Sequence, residues 1–201
     1  MSTATHARPS AARQRILDTA FVLFYARGIR AVGIDLIIAE SGVAKATFYK
    51  YFPAKDDLVV AYLDKVDAIW TNQLKAAAEA AGPEPAHQLI GMFDALSSAC
   101  RREGYRGCAF INAAAESQPG TAVHDRTVRH KAAVLAWVRD LARSAGARDP
   151  DSLGRSLTLL LDGGLASGSL DASPEAPAAA KASAAALVAA ARAPRSATEA
   201  N

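Results

Sequence analysis

Cysteine is scarce: Cys100 and Cys108 are the two in a chain of 201 residues. Two thiols build neither a disulfide scaffold nor a four-cysteine zinc site. The histidines are few and scattered, at 6, 87, 124 and 130. His124 and His130 are six apart, which does not put two ligands on one helix face. No paired carboxylates, nucleophile elbow or phosphate-cradling glycine loop appears. An enzyme is therefore not expected, and no catalytic residue, metal or cofactor is assigned. Apolar runs stay well short of the ~18 residues of a membrane span, so no membrane contact is expected. The first residues are polar and lack the apolar core of a secretory signal. The chain reads as cytoplasmic, with reduced thiols.

What is present is a globular composition, 51% hydrophobic and 21% charged. The charge is uneven. Residues 1–55 hold Arg8, Arg13, Arg15, Arg27, Arg30, Lys45, Lys50 and Lys55 against Asp18, Asp35 and Glu40. That leaves +5 on the head, and with a chain total of +3 the other 146 residues carry −2. A basic end on a mildly acidic body suits a polyanion partner, although a solvated charged surface would read the same way.

Apolar residues recur at helical spacing almost throughout, and no segment sustains alternation of period two. The pattern predicts an all-α chain of about nine helices. Ser10 caps the first, whose face is Ile16, Leu17, Ala20, Phe21 and Phe24, and Gly28 ends it. Short helices follow over 34–41 and 44–51. A long one runs from Lys55 to about Ala81, with Leu58, Tyr62, Val66, Ile69, Trp70 and Leu74 on one stripe. A fifth helix carries Leu89, Phe93, Leu96 and Cys100. Helices over 108–117 and 122–145 come next. Asp149-Pro150 and Ser173-Pro174 are start signals for the last two. The division expected is 1–54 as one domain, 55–193 as a second, and 194–201 as a frayed tail.

The segment richest in information is 28–55. Two helices of about two turns flank Ser41-Gly42-Val43, the spacing of a helix-turn-helix. A turn this tight needs a residue at positive φ, hence Gly42. Ile34, Ile37, Val43, Phe48 and Phe52 are the candidates for the small core behind it. Ala44 and Ala46 let the front of the second helix approach base edges, while its dipole favours a phosphate. Lys45, Thr47, Tyr49, Lys50 and Lys55 supply donors for phosphate oxygens. From the residues alone, an unrelated three-helix bundle with a similar turn stays open.

Gly42-Val43-Ala44-Lys45-Ala46-Thr47-Phe48-Tyr49-Lys50-Tyr51-Phe52, with Pro53, Lys55 and Leu58 after it, resembles the recognition segment of the tetracycline-repressor (TetR) family. The close match covers roughly residues 10–60. Three positions depart from the usual pattern. Val32-Gly33 stands where a Thr or Ser pair is common, and Ile38 where a small alanine is usual. Ala44 and Ala46 replace small polar residues. These departures bear on which operator is read. The resemblance implies an N-terminal helix-turn-helix domain that binds double-stranded operator DNA at Ala44, Lys45, Ala46, Thr47, Tyr49, Lys50 and Lys55. It also implies a helical C-terminal domain for ligand binding and dimerisation, a homodimer on a palindromic site, and release by a small-molecule effector, most simply as a repressor.

The body's own residues fit that implication. Thr158–Gly168 reads TLLLDGGLASG and 176–193 is mostly alanine, which lets helices from two subunits approach closely. The expected dimer contact is the last two helices, including Gly163-Gly164. An internal packing face is the other use of such residues. Candidates for the effector pocket are Val66, Trp70, Phe93, Cys108, Phe110, Ile111, Asn112, Trp137 and Leu141, an apolar set with one polar side chain. Each, taken singly, also suits plain core. A second function class is a thiol-based redox sensor at Cys100 and Cys108, with Arg101, Arg102 and Arg106 nearby to favour thiolate.

Overall fold

A computed structural model describes residues 10–171 and 174–192. The order is α1 (Ala11–Arg27), α2 (Ile34–Ser41), α3 (Lys45–Tyr51), α4 (Lys55–Ala80), α5 (Pro85–Gly91), α6 (Phe93–Cys100), α7 (Ala109–Glu116), α8 (Ala122–Ser144), α9 (Pro150–Asp171) and α10 (Glu175–Arg192). No strand occurs among the described residues. The fold is all-α, as the periodicity predicts. The expected tail, and Ser173 of the last start signal, lie outside the described residues.

Local chemistry explains the boundaries. The Ser10 hydroxyl accepts from the Arg13 amide at 3.3 Å and opens α1. Gly42 adopts φ 63° and ψ 29°, the left-handed turn between α2 and α3. Asp57 accepts from the Ala54 amide at 2.9 Å at the start of α4. The Thr121 hydroxyl accepts from the His124 amide at 3.3 Å and opens α8. The N-cap of α2 is Gly33, which has no side chain to cap with, and Asp35 in the first turn pairs with Lys45 at 3.6 Å.

One expected helix is two. The fifth breaks at Met92, giving α5 and α6 and ten segments where the periodicity shows nine. The Ala95 amide bonds the Met92 carbonyl at 3.2 Å, an i→i+3 closure that tightens the chain there. Gly91, next to the break, lies where any Cβ would collide with Ala81, so α5 packs directly on the end of α4.

Two apolar clusters make up the interior. The first gathers Ile16, Ala20 and Phe24 of α1, Ile37, Val43, Phe48 and Phe52 around the short helices, and Leu58, Val59, Tyr62 and Leu63 of α4. It also takes Phe110 and Ala113 of α7 and Val123 of α8, so the head's core runs past residue 54. The second gathers Leu74 and Ala78 of α4 with Leu89, Phe93, Leu96, Val138, Leu157, Leu161, Ala184 and Val188. Between them, Val66 packs on the edge of the first core and Trp70 on the edge of the second, both half-buried, and Ile69 is exposed.

Candidate functional site

The helix pair α2–α3 presents an exposed face because its back is anchored. Phe48 is fully buried, at ring-centroid distances of 5.4 Å from Tyr49 and 6.1 Å from Phe52. Ile37, Val43 and Phe52 are buried beside it. With Phe48 turned inward, helical spacing turns Ala46 and Lys50 to the opposite side of α3, and Lys45 and Tyr49 flank the buried ring. All four are exposed, as is Ala44, and Thr47 is half-buried. Six of the seven expected contacts thus sit together on one side of the domain.

Lys55 departs from that expectation. Its ammonium donates to the Ile29 carbonyl at 2.6 Å, and burial pushes its pKa down against the pull of Glu116 and Asp56. A half-buried ammonium committed to a carbonyl braces the turn after α1 rather than facing a phosphate.

The gap between the two cores is a cavity of about 180 Å³. Four of the nine pocket candidates line it: Val66, Trp70, Cys108 and Phe110. Five do not, each for a geometric reason. Phe93 is fully buried in the second core. Trp137 and Leu141 pack on that same core, beyond His130 on α8; seven residues of helix carry Trp137 roughly 10 Å along the axis. Ile111 and Asn112 follow Phe110 directly, and 100° per residue turns both to solvent. Asn112 donates to the Arg106 carbonyl at 2.9 Å. That bond ties α7 to the turn before it.

The sequence reading missed Phe21, Tyr25, Ile69, Tyr105 and Leu165, which also line the cavity. Phe21 lies on the apolar face of α1, and Tyr25 is one turn on; that face is simply wider than the head's core needs. The cavity's inner hydroxyls are already engaged. The Tyr25 phenol accepts from the Arg106 amide at 3.0 Å and donates to the Gly107 carbonyl at 3.2 Å. The Tyr105 phenol donates to the Leu165 carbonyl at 2.9 Å. Arg102 and Glu103, of opposite charge, are exposed at the mouth.

Behind the cavity, a polar group ties α4 to α8. Asp67 accepts from Arg126 at 2.6 Å and from Thr71 at 3.1 Å, and lies 2.6 Å from His130 Nδ1. Burial pushes the Asp67 carboxyl up, but the Arg126 and His130 bonds outweigh it and hold the group below its ordinary value. His130 stacks on Phe110 at 3.6 Å, so this cluster fixes one wall ring. Lys131 pairs with Asp162 of α9.

The thiol-sensor alternative is not supported. Both cysteines are free, and burial pushes the Cys100 thiol up against Tyr105, Arg102 and Arg101. At Cys100 the nearby arginines do not offset that burial.

Gly163-Gly164 divides in two. A Cβ on Gly164 would lie 2.5 Å from Leu96 and 3.4 Å from Ala180, whereas nothing lies within 4 Å of one on Gly163. Gly164 is therefore an internal contact, against the expectation for the dimer face. Leu159, Gly163, Ala166 and Leu170 form the outward stripe of α9, with Leu159 71% and Leu170 86% exposed. Ser183, Ala186, Leu187 and Ala190 are outward on α10.

No helix among the described residues is long and apolar enough to cross a membrane. Nor do they hold a cluster of three or more metal-ligating side chains.

Comparison with known proteins agrees with the helix-turn-helix. The family model for bacterial regulatory proteins of the tetR family matches residues 16–62. The crystal structure of SCO4454, a TetR-family transcriptional regulator from Streptomyces coelicolor, is 37% identical, with a TM-score of 0.87 and 92% of each chain covered. A putative tetR transcriptional regulator, sav143 from Streptomyces avermitilis, is 26% identical with a TM-score of 0.81, covering 90% of this chain and 98% of its own. The HTH-type transcriptional regulator YjdC of Escherichia coli is 22% identical over 155 residues, 75% of this chain and 80% of its own.

Proposed function

The chain belongs to the TetR family of bacterial regulators, a DNA-binding transcription regulator and not an enzyme, and from that premise we propose a ligand-released repressor that binds a palindromic operator as a homodimer in the cytoplasm. The observation that carries the DNA-binding end is the outward face of α3, with Lys45, Ala46, Tyr49 and Lys50 exposed over a buried Phe48. Lys45 and Thr47 meet the groove. Tyr49 and Lys50 hold phosphates, as does the Lys45 ammonium at the groove edge, and the methyls of Ala44 and Ala46 allow close approach. Residues 1–54 act as the head and 55–193 as the body.

The partner surface is the outward stripe of α9 with that of α10. Leu159 and Leu170 are the two most exposed large apolar side chains among the described residues, and Gly163 between them opens space for a neighbour. A second copy covering them supports a two-fold dimer with two reading heads. The effector site is the cavity of about 180 Å³ between the cores, and its occupant is small and largely apolar. Ligand binding weakens the hold on DNA because the occupied cavity favours a head position unsuited to the operator.

The test is selection of bound duplexes from a random pool, using the full chain. The expected product is a two-fold symmetric site bound by two chains with steep salt dependence. Recovery of no preferred sequence, or a site bound by one chain, would overturn the reading.

A further inference from the structure

One wall of the cavity belongs to the head. Phe21 and Tyr25, one turn apart on α1, line it together with Val66, Trp70, Tyr105 and Phe110. The Tyr25 phenol is also a knot. It bonds the Arg106 amide and the Gly107 carbonyl, while the Arg106 guanidinium donates to the Ala26 carbonyl at 2.6 Å. The turn 105–107 is fastened to α9 on its other side through Tyr105 and Leu165. At the far end of α7, Glu116 accepts from the Ile29 amide at 3.2 Å and the Arg30 amide at 2.6 Å. The end of α1 and the loop after it are therefore held by the segment 105–116, and the first of those holds is a cavity wall.

We propose that the cavity takes a neutral, flat aromatic molecule, and that Tyr25, a residue of the DNA-reading domain, is the latch that registers it. The proposal rests on the effector reading above and deepens it. Five aromatic side chains line the space: Phe21, Tyr25, Trp70, Tyr105 and Phe110. Rings stack best on rings, which selects a planar occupant. The inner hydroxyls are spent on backbone, so an ionic or strongly polar group buried there would lose its water without replacement. Charges of both signs stand at the mouth, where a single polar substituent can stay wet.

A ring seated against Phe21 and Tyr25 presses on α1 itself. Displacing the phenol breaks its two bonds to the 106–107 turn and loosens the end of α1, which Arg106 and Glu116 still hold. Tyr25→Phe lacks those two bonds from the start, so its ligand-free DNA affinity should already fall toward that of the ligand-bound parent. Ile16, Ala20 and Phe24 of α1 share a core with Ile37 and Phe48, so α2 and α3 move with it. This route reaches the reading helix without travelling down α4. Tyr25 is thus a positioning residue whose loss uncouples ligand from operator and leaves the cavity's ring surface in place.

The experiment uses N-phenyl-1-naphthylamine as a neutral probe and its sulfonated analogue, 1-anilinonaphthalene-8-sulfonate, as the anionic one. Binding is read by energy transfer from Trp70 in a Trp137→Phe background. The DNA is a duplex selected by the protein from a random pool. The neutral probe is expected to bind the parent and Tyr25→Phe with affinities within about threefold. It should lower the parent's DNA affinity at least tenfold and that of Tyr25→Phe less than threefold, and the sulfonate should bind at least tenfold more weakly. Equal release in Tyr25→Phe and parent would overturn the latch and leave the effector reading standing. Equal binding of the two probes would overturn the neutral class. A neutral probe that fails to bind the parent, or binds without changing DNA affinity, would overturn the effector reading and the latch with it. A measurement independent of the variant is hydrogen exchange at the Arg106 amide in the parent. At least tenfold faster exchange with the neutral probe is expected, and unchanged exchange would overturn the latch.

Discussion

The two cores are built from different materials. The head packs on rings: Phe24, Phe48, Phe52 and Tyr62, with Phe21 and Phe24 each edge-on to Tyr62 at 5.7 and 5.6 Å. The body packs on leucine and alanine, and on the absence of side chains. A Cβ would collide at Gly154 with Arg139, at Gly164 with Leu96 and at Gly168 with Cys100. A ring is a large, specific shape that a sequence states openly. A missing Cβ is silent until its neighbour is known. The head should fail when something is removed, and the body when something is added.

The first half of that contrast is broken most directly at Phe48. Phe48→Ala deletes a fully buried ring and should cost about 3–5 kcal/mol. Calorimetry should show the head's transition fall while the body's stays, with operator binding gone. A uniform loss across both transitions would mean the two cores unfold as one. The second half is sharpened by a pair of neighbours. Gly164→Leu must fit a side chain against Leu96 and Ala180 and should cost about 1–3 kcal/mol. Gly163→Leu meets open space and should leave the melting temperature of the isolated subunit unchanged. Sedimentation should find Gly163→Leu monomeric at micromolar concentration, because a leucine there blocks the proposed partner face. A stable dimer of Gly163→Leu would move that interface elsewhere.

The same contrast explains what was legible in advance. Helix positions were readable because caps and apolar spacing act locally: Ser10, Gly42 and Asp149-Pro150 all mark boundaries in the fold. Which side of α3 is exposed is legible because a motif fixes which side is buried. The cavity was half legible. Val66 and Trp70 stood out on the α4 stripe, but which apolar side chains go uncovered depends on how helices cross. Periodicity cannot distinguish Trp137, packed on the second core, from Trp70, which lines the space. Ile111 and Asn112 point away from the cavity that Phe110 lines, because a helix turns 100° at each step of the run. The Lys55 bond is not legible in the sequence because its partner, the Ile29 carbonyl, is 26 residues away.

Two lysines, one on α3 and one opening α4, test the proposed division between DNA contact and scaffold. Lys45 is exposed and Lys55 is half-buried. Lys45→Ala should weaken operator binding by about 1.5–3 kcal/mol, as for a bond to a charged group, and reduce the salt slope by about one unit. Lys55→Met should leave the salt slope unchanged and instead lower the head's unfolding temperature, since the Ile29 carbonyl loses its donor. Binding isotherms from 50 to 300 mM salt, a range on the order of that over which counterion release is read, check both. A slope that falls equally for the two variants would return Lys55 to the DNA.

The smallest expected effect is at Tyr49, and it tests whether the reading face is divided between holding and reading. Tyr49 is 41% exposed, with its ring edge-on to Phe48. Packing on that anchor fixes the ring, so the hydroxyl is the part left to reach a phosphate. Tyr49→Phe keeps the ring and its contact and deletes one hydrogen bond, worth about 0.5–1.5 kcal/mol. That corresponds to a loss of roughly twofold to tenfold in affinity. Phosphates occur at every step of a duplex, so the loss should be the same on the selected operator, on its single-base variants and on unrelated DNA. Ala46, one turn earlier on α3, offers the contrast: Ala46→Ser changes what faces the bases and should alter preference at one operator position while leaving unrelated DNA unaffected. A Tyr49→Phe penalty confined to one operator variant would make Tyr49 a base-reading residue, and the division of the face would then run along α3 at a different place.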